Sequence, residues 1–219
     1  MSTTKNSLPG VFISVEGHDG AGKTVQIAFL ADYLREKGFK VIQTRDPGGT
    51  EVGEKLREIL LFDDLTSKAE LLLFATIREQ LIHQLILPHL QEGWVVISDR
   101  FSDSTHAYQG YGRGLQDEVK ELEAFTNWIV PDHTLFFSIP LIESIDRITR
   151  RSETVTADRF DQDTLDFKSR VYDGYNEIAK EHPHRIITIN ASPSIEIVSS
   201  YVKTWLDGFF IPTYSQLLK

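Results

Sequence analysis

The residues most able to do chemistry are Gly17-His18-Asp19-Gly20-Ala21-Gly22-Lys23-Thr24, which fit the spacing GxxxxGK[ST]. Glycines at this spacing let successive backbone N–H groups converge on one anion, where Cβ atoms would obstruct the approach. Lys23 supplies a mobile cation for the β- and γ-phosphates of a nucleoside triphosphate, and the Thr24 hydroxyl suits Mg²⁺. A second candidate is Val95-Val96-Ile97-Ser98-Asp99, an apolar run that ends in a carboxylate. Asp99 there either handles Mg²⁺, directly or through water, or caps the following turn.

A third group consists of Arg45 and Arg100, each at the end of an expected strand. A planar guanidinium pairs bidentately with a phosphate, so two of them beside a triphosphate loop would make a second anion site facing the first. An enzyme that phosphorylates an already phosphorylated small molecule needs that pair of sites; a nucleotide-dependent switch does not. Asp46-Pro47-Gly48-Gly49 does satisfy the DxxG pattern of GTP-dependent switches, but the chain has no [NT]KxD box for guanine. A nucleoside acceptor is the rival at this point, and among phosphorylated acceptors a monophosphate such as dUMP or UMP stays open.

To position these residues the chain needs strands that end at the loops and helices that begin there. Short β-branched or aromatic runs alternate with helical patterns, as in a parallel sheet wrapped by helices. Strands are expected at 11–15, 40–44, 94–98, 134–138 and 185–190. Helices are expected at 22–37, 51–61, 68–89 (bent or ended near Pro88), 118–129, 141–151, 163–180 and 194–206. The fold class is therefore α/β, a five-stranded parallel sheet flanked by helices, as one domain over 1–219. The exception to the pattern is Arg150–Asp161, polar and charged, which reads as a flap over a site or as a solvated loop.

Composition narrows the classes. The absence of cysteine rules out disulfides and thiolate metal sites, and the net charge of −9 argues against a nucleic-acid coat, which needs a dense cationic face. The first ten residues lack the apolar run of a signal peptide, and the apolar stretch 70–90 is interrupted by Arg78, Glu79, Gln80, His83 and Gln84. A soluble, cytoplasmic protein with no membrane association is expected.

Beyond these spacings the chain resembles the thymidylate kinase family from about Val11 to Trp205. The resemblance rests on the glycine loop, on Arg45-Asp46-Pro47-Gly48-Gly49-Thr50, and on Leu73-Phe74-Ala75-Thr76-Ile77-Arg78. It rests also on Asp99-Arg100-Phe101 with Ser104-Thr105-His106-Ala107-Tyr108-Gln109-Gly110. It implies transfer of the γ-phosphoryl group of ATP to dTMP, with Mg²⁺. Asp19 would bond the sugar 3′-hydroxyl or orient acceptor and metal, and Arg45 and Arg100 would hold the dTMP phosphate. Phe74 would stack on thymine, although its spacing alone suits core packing, and Arg78 would bond the base edge. Ser104, Thr105 and Gln109 would contact the acceptor, and Tyr108 would crowd a ribose 2′-hydroxyl. The loop holds no arginine, so the resemblance is to bacterial members that supply a catalytic arginine from a mobile lid. That lid lies at about 147–161, with Arg150, Arg151 and Arg159 as candidates. A homodimer is implied. The tail 208–219 has no clear counterpart and is expected to pack on its own domain or on another subunit.

Overall fold

The computed structural model describes residues 8–152, 159–160 and 163–218, with the backbone alone at 151 and 152. The strands are β1 (Val11–Glu16), β2 (Val41–Arg45), β3 (Val95–Asp99), β4 (His133–Ser138) and β5 (Ile186–Asn190). They form one all-parallel sheet in the order β2-β3-β1-β4-β5. The strand patterns follow from this order. Central β1 is buried at all six positions and β4 at the first five, whereas the edge strands β2 and β5 mix buried and exposed residues.

The helices are α1 (Lys23–Glu36), α2 (Glu51–Phe62), α3 (67–91), α4 (102–112), α5 (Gln116–Thr126), α6 (Leu141–Ser152), α7 (Leu165–Glu181) and α8 (195–213). Pro88 neither ends nor sharply breaks α3. A wider turn at Ile82–Ile86, in which Leu87 N–H donates to Ile82 O, carries the helix past the proline to Gln91. Helix α4 lies outside the expected set. Its sequence SDSTHAYQGYG carries two glycines and several poor helix formers, so tertiary packing against α7 decides its conformation.

Two apolar layers clamp the sheet. On one face Val11, Ile13 and Val15 pack with Leu30 and Leu34 of α1 and Val198 and Val202 of α8. On the other, Phe12 and Val96 meet Leu81, Ile86 and Leu90 of α3, while Phe136 and Ile186 meet Val171, Tyr175 and Ile178 of α7. The tail packs back on its own domain: Phe210 is fully buried in the first layer, with Tyr214 and Leu217 against it. Of the expected lid, 147–152 closes α6 and Arg159 and Phe160 are described; 153–158 and 161–162 lie outside the described residues.

Candidate active site

In the strand order β3 sits beside β1, so the loops leaving the two strands meet at one carboxyl edge, where open α/β sheets bind ligands. The loop after β1 turns through Gly17, Gly20 and Gly22, each with positive φ, and runs directly into α1. At Gly17 a Cβ would stand 2.4 Å from the Phe137 carbonyl oxygen, so glycine is required both for space and for backbone. Lys23 folds back over this loop and donates to Gly17 O and His18 O, both at 2.9 Å. Burial pushes its ammonium down to about 8, Arg100 adds to that effect, and Asp19 opposes it. His18 is buried beneath the loop against Tyr172, and burial pulls its imidazole down to about 4, so it is neutral at pH 7.

The chain leaves β3 through Arg100 in the left-handed region, φ 68°. Three bonds pin the strained residue and its neighbour. Arg100 N–H donates to Val15 O at 2.9 Å, Ser98 Oγ donates to Arg100 O at 2.7 Å, and Phe101 N–H donates to Glu16 Oε1 at 2.7 Å. The turn aims the guanidinium at the glycine loop, where it donates to Gly17 O, to Tyr175 Oη at 2.8 Å and to Asp19 Oδ1 at 2.7 Å. Burial works against this charge, yet the Tyr108 and Tyr175 oxygens and the Asp19 and Asp99 carboxylates hold its pKa well above the ordinary value. Glu16, at the end of β1, accepts also from Ser104 Oγ at 2.6 Å and Tyr175 Oη at 3.1 Å. Burial, reinforced by Asp103, raises its carboxyl to about 7.

A cavity of about 610 Å³ opens at this edge. Asp19, Gly20, Gly22, Lys23 and Thr24 form one end of its lining, with Asp99, Arg100, Ser104, Tyr108 and Arg45 beyond them. Arg45 is less committed than Arg100: it pairs with Glu54, and half of its side chain is exposed. Phe74 and Gln109 line the other end together with Phe160, whose ring centroid lies 6.1 Å from Phe74 and 5.9 Å from Tyr108. Phe74 therefore serves both readings, since it is buried against Leu60 and Ile77 and yet presents to the cavity. Arg78 and Thr105 lie in the wall behind. Arg78 Nε bonds Asp46 at 2.5 Å and its Nη2 donates to Thr105 Oγ1 at 2.7 Å. Its Nη1 has no partner among the described residues, and neither has Gln109 Oε1.

Gly17, His18 and Ala21 shape the loop from beneath without lining the cavity. Arg150 is exposed on the last turns of α6; Arg151 lies there too, its side chain outside the described residues. Arg159 is turned away from the loop, donating to Leu60 O at 2.6 Å and pairing with Glu70 at 2.7 Å. Arg147, by contrast, reaches the loop at Gly20 O. Sequence reasoning missed Glu16, Glu70, Arg57, Phe160 and Tyr175. Only the position of Glu16, at a strand end directly before the loop, offered a signal.

Among the described residues no cluster of three or more His, Asp or Glu could hold a metal by itself. The site nevertheless fits a hard cation shared with phosphate oxygens and water. Asp99 Oδ1 is buried without a partner among the described residues, and Thr24 lines the same cavity.

A glycine loop opening a helix, an apolar strand ending in Asp99, and an inward arginine on the next residue define a P-loop kinase of nucleoside monophosphates. Comparison with known proteins narrows the class. The family model "Thymidylate kinase" matches residues 15–202. The chain is 43% identical over 200 residues to a thymidylate kinase of Thiobacillus denitrificans, covering 90% of this chain and 96% of that one. It is 43% identical to one of Thermoanaerobacter sp. strain X514, covering 84% and 90%. The crystal structure of thymidylate kinase from Ehrlichia chaffeensis aligns with a TM-score of 0.72 at 33% identity, over 90% of this chain and 98% of that one. The chain belongs to the thymidylate kinase family and is an enzyme, a phosphotransferase of that activity.

Proposed function

We propose that the cavity binds ATP at the glycine loop and dTMP between Arg100 and Phe74, and that the γ-phosphoryl group passes between them to give dTDP and ADP. The observation that carries this reading is Arg100, held at positive φ and aimed at the loop, because it makes a second anion pocket facing the first. Phosphoryl transfer needs alignment and charge neutralisation more than a protein nucleophile. The loop N–H groups and Lys23 grip the donor. Arg100, with Arg45 once it leaves Glu54, grips the acceptor phosphate. Asp19, already bonded to Arg100 and to Tyr108 Oη, is placed to receive the sugar hydroxyl and to set the acceptor's distance from the loop. The Tyr108 ring crowds the position of a ribose 2′-hydroxyl.

Two buried polar atoms without partners among the described residues, Arg78 Nη1 and Gln109 Oε1, would serve as the donor to O4 and the acceptor from N3–H of thymine, with Phe74 as the stacking face. Mg²⁺ would be held by Asp99 and Thr24 and would neutralise phosphate charge. Arg150 and Arg151 are candidates for the cation that offsets charge on the transferred group; Arg159 would have to leave Glu70 to do so. The segment 147–161 acts as the lid of a single domain. The enzyme works as a cytoplasmic homodimer, for which exposed Leu72 on α3 and Phe125 on α5 offer apolar surface. No helix among the described residues is long and apolar enough to cross a membrane.

A coupled assay of ADP release across deoxy- and ribonucleoside monophosphates tests the reading. The highest kcat/KM is expected with dTMP, a lower one with dUMP, and rejection of dCMP and TMP. Equal turnover of pyrimidine and purine monophosphates would remove the base pocket from the account. Lys23→Ala is expected to lower kcat by at least about 100-fold.

A further inference from the structure

Glu70 lies on α3, one turn before Phe74, and is only 1% exposed. Donors from three directions converge on its carboxylate. Gln109 Nε2 donates to Oε1 at 2.6 Å, Arg113 approaches Oε2 at 3.2 Å, and Arg159 reaches Oε2 at 2.7 Å. Arg113 is fixed in turn by a two-pronged pair with Asp163 at 2.8 and 2.9 Å. Flanked by two guanidinium groups, the Glu70 carboxylate offers lone pairs alone, so it accepts only the NH₂ end of the Gln109 amide. The reverse orientation would press the amide oxygen against a carboxylate oxygen at 2.6 Å. Gln109 itself is fully buried, lines the cavity beside Phe74, and its Oε1 has no partner among the described residues.

We propose that Glu70, which touches no substrate, is the positioning residue that sets base specificity by locking the Gln109 amide with its oxygen toward the cavity. The proposal rests on the reading of that cavity end as the base pocket. A pyrimidine with a ring N–H, such as thymine or uracil, donates to this oxygen. Cytosine presents a lone pair at the same ring nitrogen and meets the oxygen with nothing to share, leaving two buried acceptors unsatisfied. Were the amide free to turn, its NH₂ end would donate to the cytosine ring nitrogen and remove that part of the discrimination.

The test measures the inhibition constant of dCMP against the KM of dTMP. In the wild-type enzyme dCMP binds far more weakly than dTMP. Glu70→Gln keeps shape and volume but supplies both a donor and an acceptor, so Gln109 can turn; the ratio is expected to shift toward dCMP by about tenfold or more. In a Gln109→Leu background the same Glu70→Gln change is expected to leave the ratio where Gln109→Leu alone puts it. An unchanged ratio in Glu70→Gln, or a shift that persists without Gln109, overturns the proposal. Equal binding of dCMP and dTMP by the wild-type enzyme would instead overturn the pocket reading. Should Glu70→Gln not fold, the wild-type protein still decides. The Gln109 side-chain NH₂, followed by ¹⁵N NMR, is expected to exchange with solvent far more slowly than an exposed glutamine, and exchange at the exposed rate sinks the lock.

Discussion

A carboxyl group taken wholly out of water, as Glu16 is, resists ionisation even where donors replace part of its lost hydration. Its proton leaves near 4.5 in the unfolded chain and near 7 in the fold. Between those values the folded protein keeps a proton that the unfolded chain has released, so stability falls as pH rises through the window and levels off above it. Glu16→Gln removes the titration while retaining an oxygen for Phe101 N–H. Urea unfolding of both proteins from pH 4.5 to 7.5 is expected to show the wild type losing stability relative to the variant, on the order of 3 kcal/mol. Parallel midpoints would contradict the burial argument. Lys23 carries a companion expectation with a kinetic readout. Its ammonium, lowered to about 8, is charged below that pH and loses its charge above it. kcat/KM for ATP, which reports the free enzyme, is therefore expected to fall as pH passes about 8. A flat profile to pH 9.5 would mean that the lysine stays charged.

Helices α4 and α7 cross at two glycines. A Cβ at Gly112 would meet the Phe167 ring at 2.6 Å, and one at Gly174 would meet Tyr111 at 2.8 Å. The close approach brings Tyr175 onto Ser104 and Arg100, so the packing of two elements sets the acceptor pocket. Gly174→Ala is expected to cost about 1–3 kcal/mol by overpacking and to raise KM for dTMP more than KM for ATP. Equal rises would uncouple the crossing from the acceptor side. The same two helices mark the limit of what the sequence disclosed. The strands were legible to within a residue, because continuous apolar runs such as VVIS and TLFFS have few other uses in an α/β chain. The phosphate loop was legible through its fixed spacing, and Asp99 and Arg100 through their place at the end of an apolar strand. Helix α4 was not, since contacts with α7 rather than local propensity hold it. Glu70 and Tyr175 were silent for a related reason. Their partners are distant in sequence, Arg159 for Glu70 and Arg100 for Tyr175, so no local pattern betrays them.

At the scale of the whole molecule the described part of the tail, 208–218, which takes in the last turns of α8, sits at the opposite end of the sheet from the site. Trp205, Phe209, Phe210 and Tyr214 gather around His133, which opens β4, and Tyr214 Oη lies 2.8 Å from His133 Nε2. Phe210, near the end of α8, lies with no exposure at all in the apolar layer that α8 shares with α1. Phe210→Ala would therefore remove a ring from a packed interior, and unfolding is expected to become easier by about 3–5 kcal/mol. No side chain of this cluster reaches the cavity. KM for ATP and for dTMP, measured well below the melting temperature, are accordingly expected to stay at wild-type values while the urea midpoint falls. A shift in either KM at that temperature would mean that the sheet transmits strain from its amino edge to its carboxyl edge. A rigid, close-packed sheet held between two apolar layers resists that, and the kinetics of this one variant separate a stabilising cap from a functional one.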